Sequence, residues 1–165
     1  MSGGGFLYLA VWMDLYSRKI MGRHMETHMQ KALVVEAFKK ALQTRKVATA
    51  LMVHSDQGGR YAGSSFRKLL VKRKIKQSMS RADNVYDNSF MEPLFSSFKA
   101  EPLQGGAFLS KGDAQTEFFE YIEMYYNTKR RHSALNFLSP VVYENNYYYS
   151  ITQASLVSVK TGTPH

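Results

Sequence analysis

His54-Ser55-Asp56-Gln57-Gly58-Gly59 closes a short apolar run, and Asp87-Asn88-Ser89-Phe90-Met91-Glu92 follows further along the chain. Residues 57 to 91 separate Asp56 from Glu92, a stretch of 35 residues with one helix-like and one short strand-like pattern. Such a layout can leave one acid at a strand end and return the other on a helix beside it, close enough to share a metal ion. Oxygen-only, carboxylate-rich sites suit magnesium or manganese.

The second half of this stretch carries a helical period. Met91, Leu94, Phe95 and Phe98 fall at i, i+3, i+4 and i+7, the spacing of one buried face. Glu92, Ser96 and Lys99 fall at i, i+4 and i+7 on the other side, placing an acid and a lysine ~10 Å apart along the axis. An acid that holds a cation and a lysine that holds a phosphate would share that face. An ordinary solvated helix face has the same pattern. The link to Asp56 separates the two readings.

His54 to Tyr61, Tyr86 to Glu92 and Phe98-Lys99-Ala100-Glu101 resemble the DDE-type integrase catalytic core of IS3-family insertion-sequence transposases. Retroviral integrases are similar more distantly. The resemblance extends to Leu7–Lys19 and to Tyr126-Asn127 with Arg130-Arg131-His132-Ser133-Ala134-Leu135 and Ser139-Pro140, covering about residues 6 to 144. It implies an α/β, ribonuclease H-like fold, a mixed sheet flanked by helices, that cleaves DNA and transfers strands. In that family two Mg2+ or Mn2+ ions are held by two aspartates and a glutamate. Asp56 and Glu92 match the second and third acids, as catalytic and metal-binding residues, and Lys99 matches a DNA-contacting lysine. Arg60, Arg130, Arg131 and His132 join it as candidate DNA contacts. The implied partners are DNA, as transposon ends and target, and further copies of the chain.

Two departures fall near the acids. Asp83 stands where the family usually has glycine, and Pro93 follows Glu92 where a small residue is usual. Pro93 is tolerated if Glu92 lies in the first helical turn, where the missing N–H has no partner. No residue matches the family's first aspartate, which sits on a strand preceding the one read here from Phe6. A core lacking its first strand is therefore expected, unable by itself to transfer strands. A DNA-binding remnant that does not cut is the alternative.

Composition adds the partner's sign. Lys+Arg of 22 against Asp+Glu of 13 gives a net charge of +9, and a pI near 9.7 predicts attraction to a polyanion. The absence of cysteine excludes a disulfide framework and thiolate metal sites and suits a reducing cytosol. No apolar run approaches the ~18 residues of a membrane span, and residues 1–5 lack the features of a signal peptide. A bacterial cytosolic chain is expected, without a membrane partner.

Working outward, residues 1–5 read as a flexible leader, 6–144 as the core and 145–165 as a C-terminal tail with a disordered end. Phe6 to Met13 suits a strand covered on both faces, and Arg18 to Met25 the returning strand of a hairpin. Asp14 lies between them, where Asp is a standard turn residue. Thr27 to Lys46 reads as an amphipathic helix through Val34, Ala37, Phe38, Ala41 and Leu42. His24 and His28 lack a third ligand and are read as surface or strand-end histidines. Ser64 is a candidate cap for the next helix, the most basic in the chain, and Lys76 to Met79 a candidate edge strand. Ser80 to Asn88 reads as a mobile loop. Ser110 and Asp113 signal the start of a helix in which Phe118, Ile122, Tyr125 and Tyr126 share a face. Arg130, Arg131 and His132 fit either a DNA-facing role or partnership with a helix dipole. Ser139-Pro140 opens a final short helix.

Overall fold

The computed structural model describes residues 6–44, 50–56, 59, 61–79, 94, 96 and 110–160, with side chains described to residue 152. The chain divides into two compact units, Met1–Met13 with Ile20–Phe118 and Asp14–Lys19 with Phe119–His165.

In the first unit, β1 (Tyr8–Met13) and β2 (Ile20–Glu26) pair antiparallel, with Tyr8 opposite Glu26, Val11 opposite Arg23 and a register shift between Trp12 and Met13. Helix α1 (Lys31–Thr44) packs on this pair and buries Leu33, Val34, Val35, Ala37 and Phe38. Gly22 lets β2 lie directly against α1, because a Cβ there would collide with the backbone of Ala37 and Ala41.

β3 (Met52–Ser55) and β4 (Lys76–Met79) pair in parallel, with Met52 opposite Lys76 and Ser55 opposite Met79. Parallel neighbours need a crossover, and α2 (Ser64–Lys72) lies within it. Its N-cap is Gly63, with no side-chain hydrogen bond, so Ser64 is the first helical residue rather than the cap. At the other end Ile75 N–H donates to Leu70 O at 2.9 Å and Lys74 N–H to Val71 O at 3.0 Å. This is a Schellman closure, with Lys74 at φ 54° in the place glycine favours.

The α/β class expected from the sequence is observed, with antiparallel and parallel pairs flanked by helices. Among the described residues these are separate two-stranded sheets, each marginal alone. A shared core joins them: Val35, Phe38, Val53, Phe66, Leu70 and Ile75 are buried together, with Trp12 and Tyr61 packed against them. Trp12 stacks on Phe66 at 5.6 Å, meets Phe38 at 4.7 Å and donates its indole N–H to Val34 O at 3.2 Å. One correction concerns β1, in which only Val11 is buried and the other positions are half-buried. An apolar run marks where a strand forms, but the cover over its faces comes from distant segments.

Later in the same unit, Leu94 and Ser96 have helical backbone, with Leu94 buried and Ser96 exposed, as the period predicts. Helix α3 (Lys111–Glu120) opens with Ser110 Oγ accepting the Asp113 N–H at 3.0 Å, the expected cap.

The second unit holds the bend Asp14–Lys19, a π-helical turn at Tyr121–Tyr126, a 3-10 turn at Ser133–Leu135 and α4 (Pro140–Lys160). Asp14 Oδ1 accepts N–H bonds from Tyr16 at 2.9 Å and Ser17 at 3.0 Å, the turn role read for it. The wider π turn, closed by Asn127 N–H to Ile122 O at 2.9 Å, buries Ile122 and Tyr126 and leaves Tyr125 exposed. The face expected to hold all three is split because its period assumed an α-helix. α4 runs 21 residues instead of closing as a short helix, so the boundary drawn at 144 falls inside it and its backbone stays helical to Lys160. No glycine or proline interrupts the chain from 141 to 161, so nothing local stops the helix.

Candidate functional site

Asp56 is the assigned acid that the structure describes. It follows the last residue of β3, at the carboxyl end of a parallel pair, where open α/β sheets place ligands. Its side chain is exposed, and the Ser55 hydroxyl donates to its carbonyl oxygen at 3.2 Å. Two residues earlier, His54 Nδ1 lies 3.2 Å from Ser78 Oγ across the β3–β4 register. The strand pair therefore fixes the backbone that carries the acid.

Glu92, Lys99 and Arg60 lie outside the described residues, as do Asp83, Asp87, Pro93 and the loop read at 80–88. Among the described residues no group of three or more His, Cys, Asp or Glu could hold a metal ion. The donor chemistry of Asp56, an exposed carboxylate, fits a hard divalent cation.

The basic segment 130–132 is built on Tyr126. The Arg130 guanidinium lies 5.7 Å from the Tyr126 ring centroid, and the His132 ring meets the same tyrosine edge-on at 4.9 Å. Backbone bonds from Lys129 and Arg130 N–H to Tyr125 O, both 2.8 Å, hold the turn, and His132 pairs with Leu138 as an isolated bridge. Arg130 and His132 are half-buried, whereas Arg131 is exposed. Of the three, Arg131 is the one presented to solvent.

Two clusters escaped the sequence reading. Buried Glu144 accepts a hydrogen bond from Ser17 Oγ at 2.7 Å and pairs with Lys19 Nζ at 3.1 Å. Its partners stand more than a hundred residues away, and no local pattern announces them. On the first unit, Glu26 binds Lys111 Nζ at 2.6 Å and faces His24 Nε2 at 3.3 Å. The Lys111 hydrogen bond holds the Glu26 carboxyl below its ordinary range. His24 therefore lies within β2, half-buried beside an acid, rather than at the surface or the strand's end, while His28 is exposed beyond the strand.

Integrase core domain family models match residues 1–84 and 92–147. The chain belongs to the integrase core domain family. This integrase core is 42% identical over 140 residues to the transposase for insertion sequence element IS904 of Lactococcus lactis subsp. lactis (strain IL1403), covering 85% of the chain and 55% of that relative. It is 39% identical over 141 residues to transposase InsF for insertion sequence IS3A of Escherichia coli (strain K12), covering 86% of the chain and 49% of that relative. The chain spans about half the length of the curated relatives it matches. The resemblance to insertion-sequence transposases is borne out. Among solved structures, a simian T-cell lymphotropic virus intasome in complex with PP2A regulatory subunit B56 gamma aligns with TM-score 0.58 at 13% identity, over 73% of this chain and 44% of that one. The trimeric form of the HTLV-2 integrase catalytic core domain in complex with magnesium aligns with TM-score 0.51 at 14% identity, over 80% of each. At these identities the likeness concerns the fold alone. Among the described residues no helix is long and apolar enough to cross a membrane.

Proposed function

We propose that this integrase core serves DNA cleavage and strand transfer during transposition, with Asp56 and Glu92 as two of the family's three carboxylates and DNA as its substrate, a reaction that these two acids alone do not carry through. The observation that carries the reading is the exposed acid at the carboxyl end of β3 in a chain of this family. Mg2+ or Mn2+, when bound, would activate water or a 3'-hydroxyl and stabilise the leaving oxygen of a phosphodiester. Asp56 and Glu92 would supply the hard oxygen ligands, while Lys99, Arg60 and Arg131 would bind backbone phosphates. Arg130 and His132 act through their packing on Tyr126, which sets the direction of the basic turn. Assembly with further copies and action on transposon ends and target belong to the same proposal.

A second reading, DNA binding without cutting, is favoured by Asp14. Its carboxylate already accepts two backbone N–H bonds within the bend, so it is a poor substitute for a third metal-binding acid. The test is Mn2+ titration together with manganese-dependent cleavage of a labelled terminal duplex. Weak binding of one ion, lost in Asp56→Asn and in Glu92→Gln, with no cleavage by this chain, is the expected result. Metal binding unchanged in both variants would remove the assigned site. Robust cleavage abolished by Asp14→Asn would overturn the turn assignment and the second reading together.

A further inference from the structure

The chain between Asp56 and Asp83 contains no acidic residue. Within it, Arg67, Lys68, Lys72, Arg73, Lys74 and Lys76 place six cations in ten positions on α2 and the start of β4, and all six are exposed. Three cations elsewhere do have acidic partners: Lys19 holds Glu144, Lys39 holds Glu36 and Lys111 holds Glu26. None of the six has an acidic partner among the described residues.

Helix stability does not account for this arrangement. Cations near a helix C-terminus complement its dipole, which serves Lys72, Arg73 and Lys74. Arg67 ends the first turn of α2, which holds no acid, and there a positive charge opposes the dipole. Lys68 and Lys72 are also a like-charged i, i+4 pair, which destabilises an isolated helix. The free surface is therefore self-repelling, and a polyanion relieves it. Phe66 and Leu70 are buried in the core and fix which way the helix faces, so the charges are presented as a set.

We propose that the outer face of α2, continued by Lys74 and Lys76, binds the backbone of duplex DNA, as a surface separate from the Asp56 site. This rests on the reading of the chain as a DNA-acting core. The helix is ~13 Å long. That span covers about four phosphates of one strand, spaced roughly 3.4 Å apart along the duplex axis. A lipid surface fits less well, since interfacial helices bury a broad apolar face in the membrane and that of α2 is already in the core. Val71, exposed among the cations, offers one apolar contact, suited to a deoxyribose edge.

The test is fluorescence anisotropy with a labelled random-sequence duplex over a salt series, using the full chain. The triple variant Arg67→Gln, Lys68→Gln, Lys72→Gln is compared with Lys31→Gln, Lys39→Gln, Lys40→Gln on α1, which removes the same charge. Circular dichroism confirms that both fold. The α2 variant is expected to lose at least about tenfold in affinity at low salt and to flatten the log–log salt slope by roughly 2.7, three phosphate contacts at about 0.9 each. The α1 variant is expected to lose less than half as much. Equal losses would reduce the effect to net charge and overturn the proposal. Lys74→Gly adds a readout that a structural role would not move. Glycine relieves the positive φ, so the melting temperature should rise while DNA binding weakens, and a rise with unchanged binding would count against the proposal. Tighter binding of RNA than of duplex DNA would overturn the choice of partner. If the unmodified chain binds no duplex at any salt, the proposed function falls as well, whereas full binding retained by the α2 variant removes this inference alone.

Discussion

Gly22 and Glu144 show how much of this fold rests on single residues. At Gly22 a Cβ would meet backbone atoms of Ala37 and Ala41, which cannot swing aside as a side chain would. Gly22→Ala should cost about 3 kcal/mol, read as a lower urea midpoint with the slope unchanged. Glu144 is satisfied from two sides, by a hydroxyl and an ammonium. Glu144→Ala would strand Lys19 Nζ, which is about one quarter exposed, and should cost about 3 kcal/mol. Glu144→Gln keeps an acceptor for Ser17 and should cost less, so the order of the two denaturation midpoints checks the assignment. The sequence holds a cue for Gly22, since glycine inside a strand pattern marks close backbone approach. It holds none for Glu144, because a pairing that spans more than a hundred positions depends on the completed fold.

At the scale of elements, what was legible was whatever depends on local period and cap chemistry. The hairpin, α1, the short strand after α2 and the Ser110 cap follow from local spacing and turn residues, whereas the parallel pairing of that strand with β3 does not. The π turn at Tyr121–Tyr126 does not, because its sequence reads as plain helix and the extra residue per turn is set by packing. The candidate site divides in the same way. Asp56 could be placed at a strand end, but the packing of Arg130 and His132 on Tyr126 was hidden, since charge alone suggests a solvated turn. One tie between elements is testable by pH. The Lys111 hydrogen bond, first among its causes, holds Glu26 on β2 below its ordinary value. A lowered folded-state value means that this contribution is fully present above the ordinary carboxylate range and is lost as pH falls through the lowered one. Lys111→Met should therefore lower the melting temperature slightly at neutral pH and have no effect once Glu26 is protonated. Equal losses at both pH values would assign the effect to packing of the lysine stem.

For the molecule as a whole, the quantity that matters is charge. A net +9 on 165 residues attracts a polyanion from any direction, and the attraction falls as salt screens it. Sequence discrimination needs something else, namely side chains held against base edges by a helix or strand seated in a groove. The chain has no cysteine for a zinc module, and the apolar side of α2 is committed to the core. Phosphate contacts position a protein on DNA without reading its sequence. Affinities for a terminal duplex and for a scrambled duplex of equal length should therefore agree within about tenfold, far below the 10³ or more by which sequence-specific proteins prefer their sites. Both should weaken together between low and physiological salt. Competition titrations at two salt concentrations measure the ratio directly. A preference for the terminal duplex above about 10³ that survives the higher salt would mean that base readout resides in this core, and charge would no longer explain its choice of DNA.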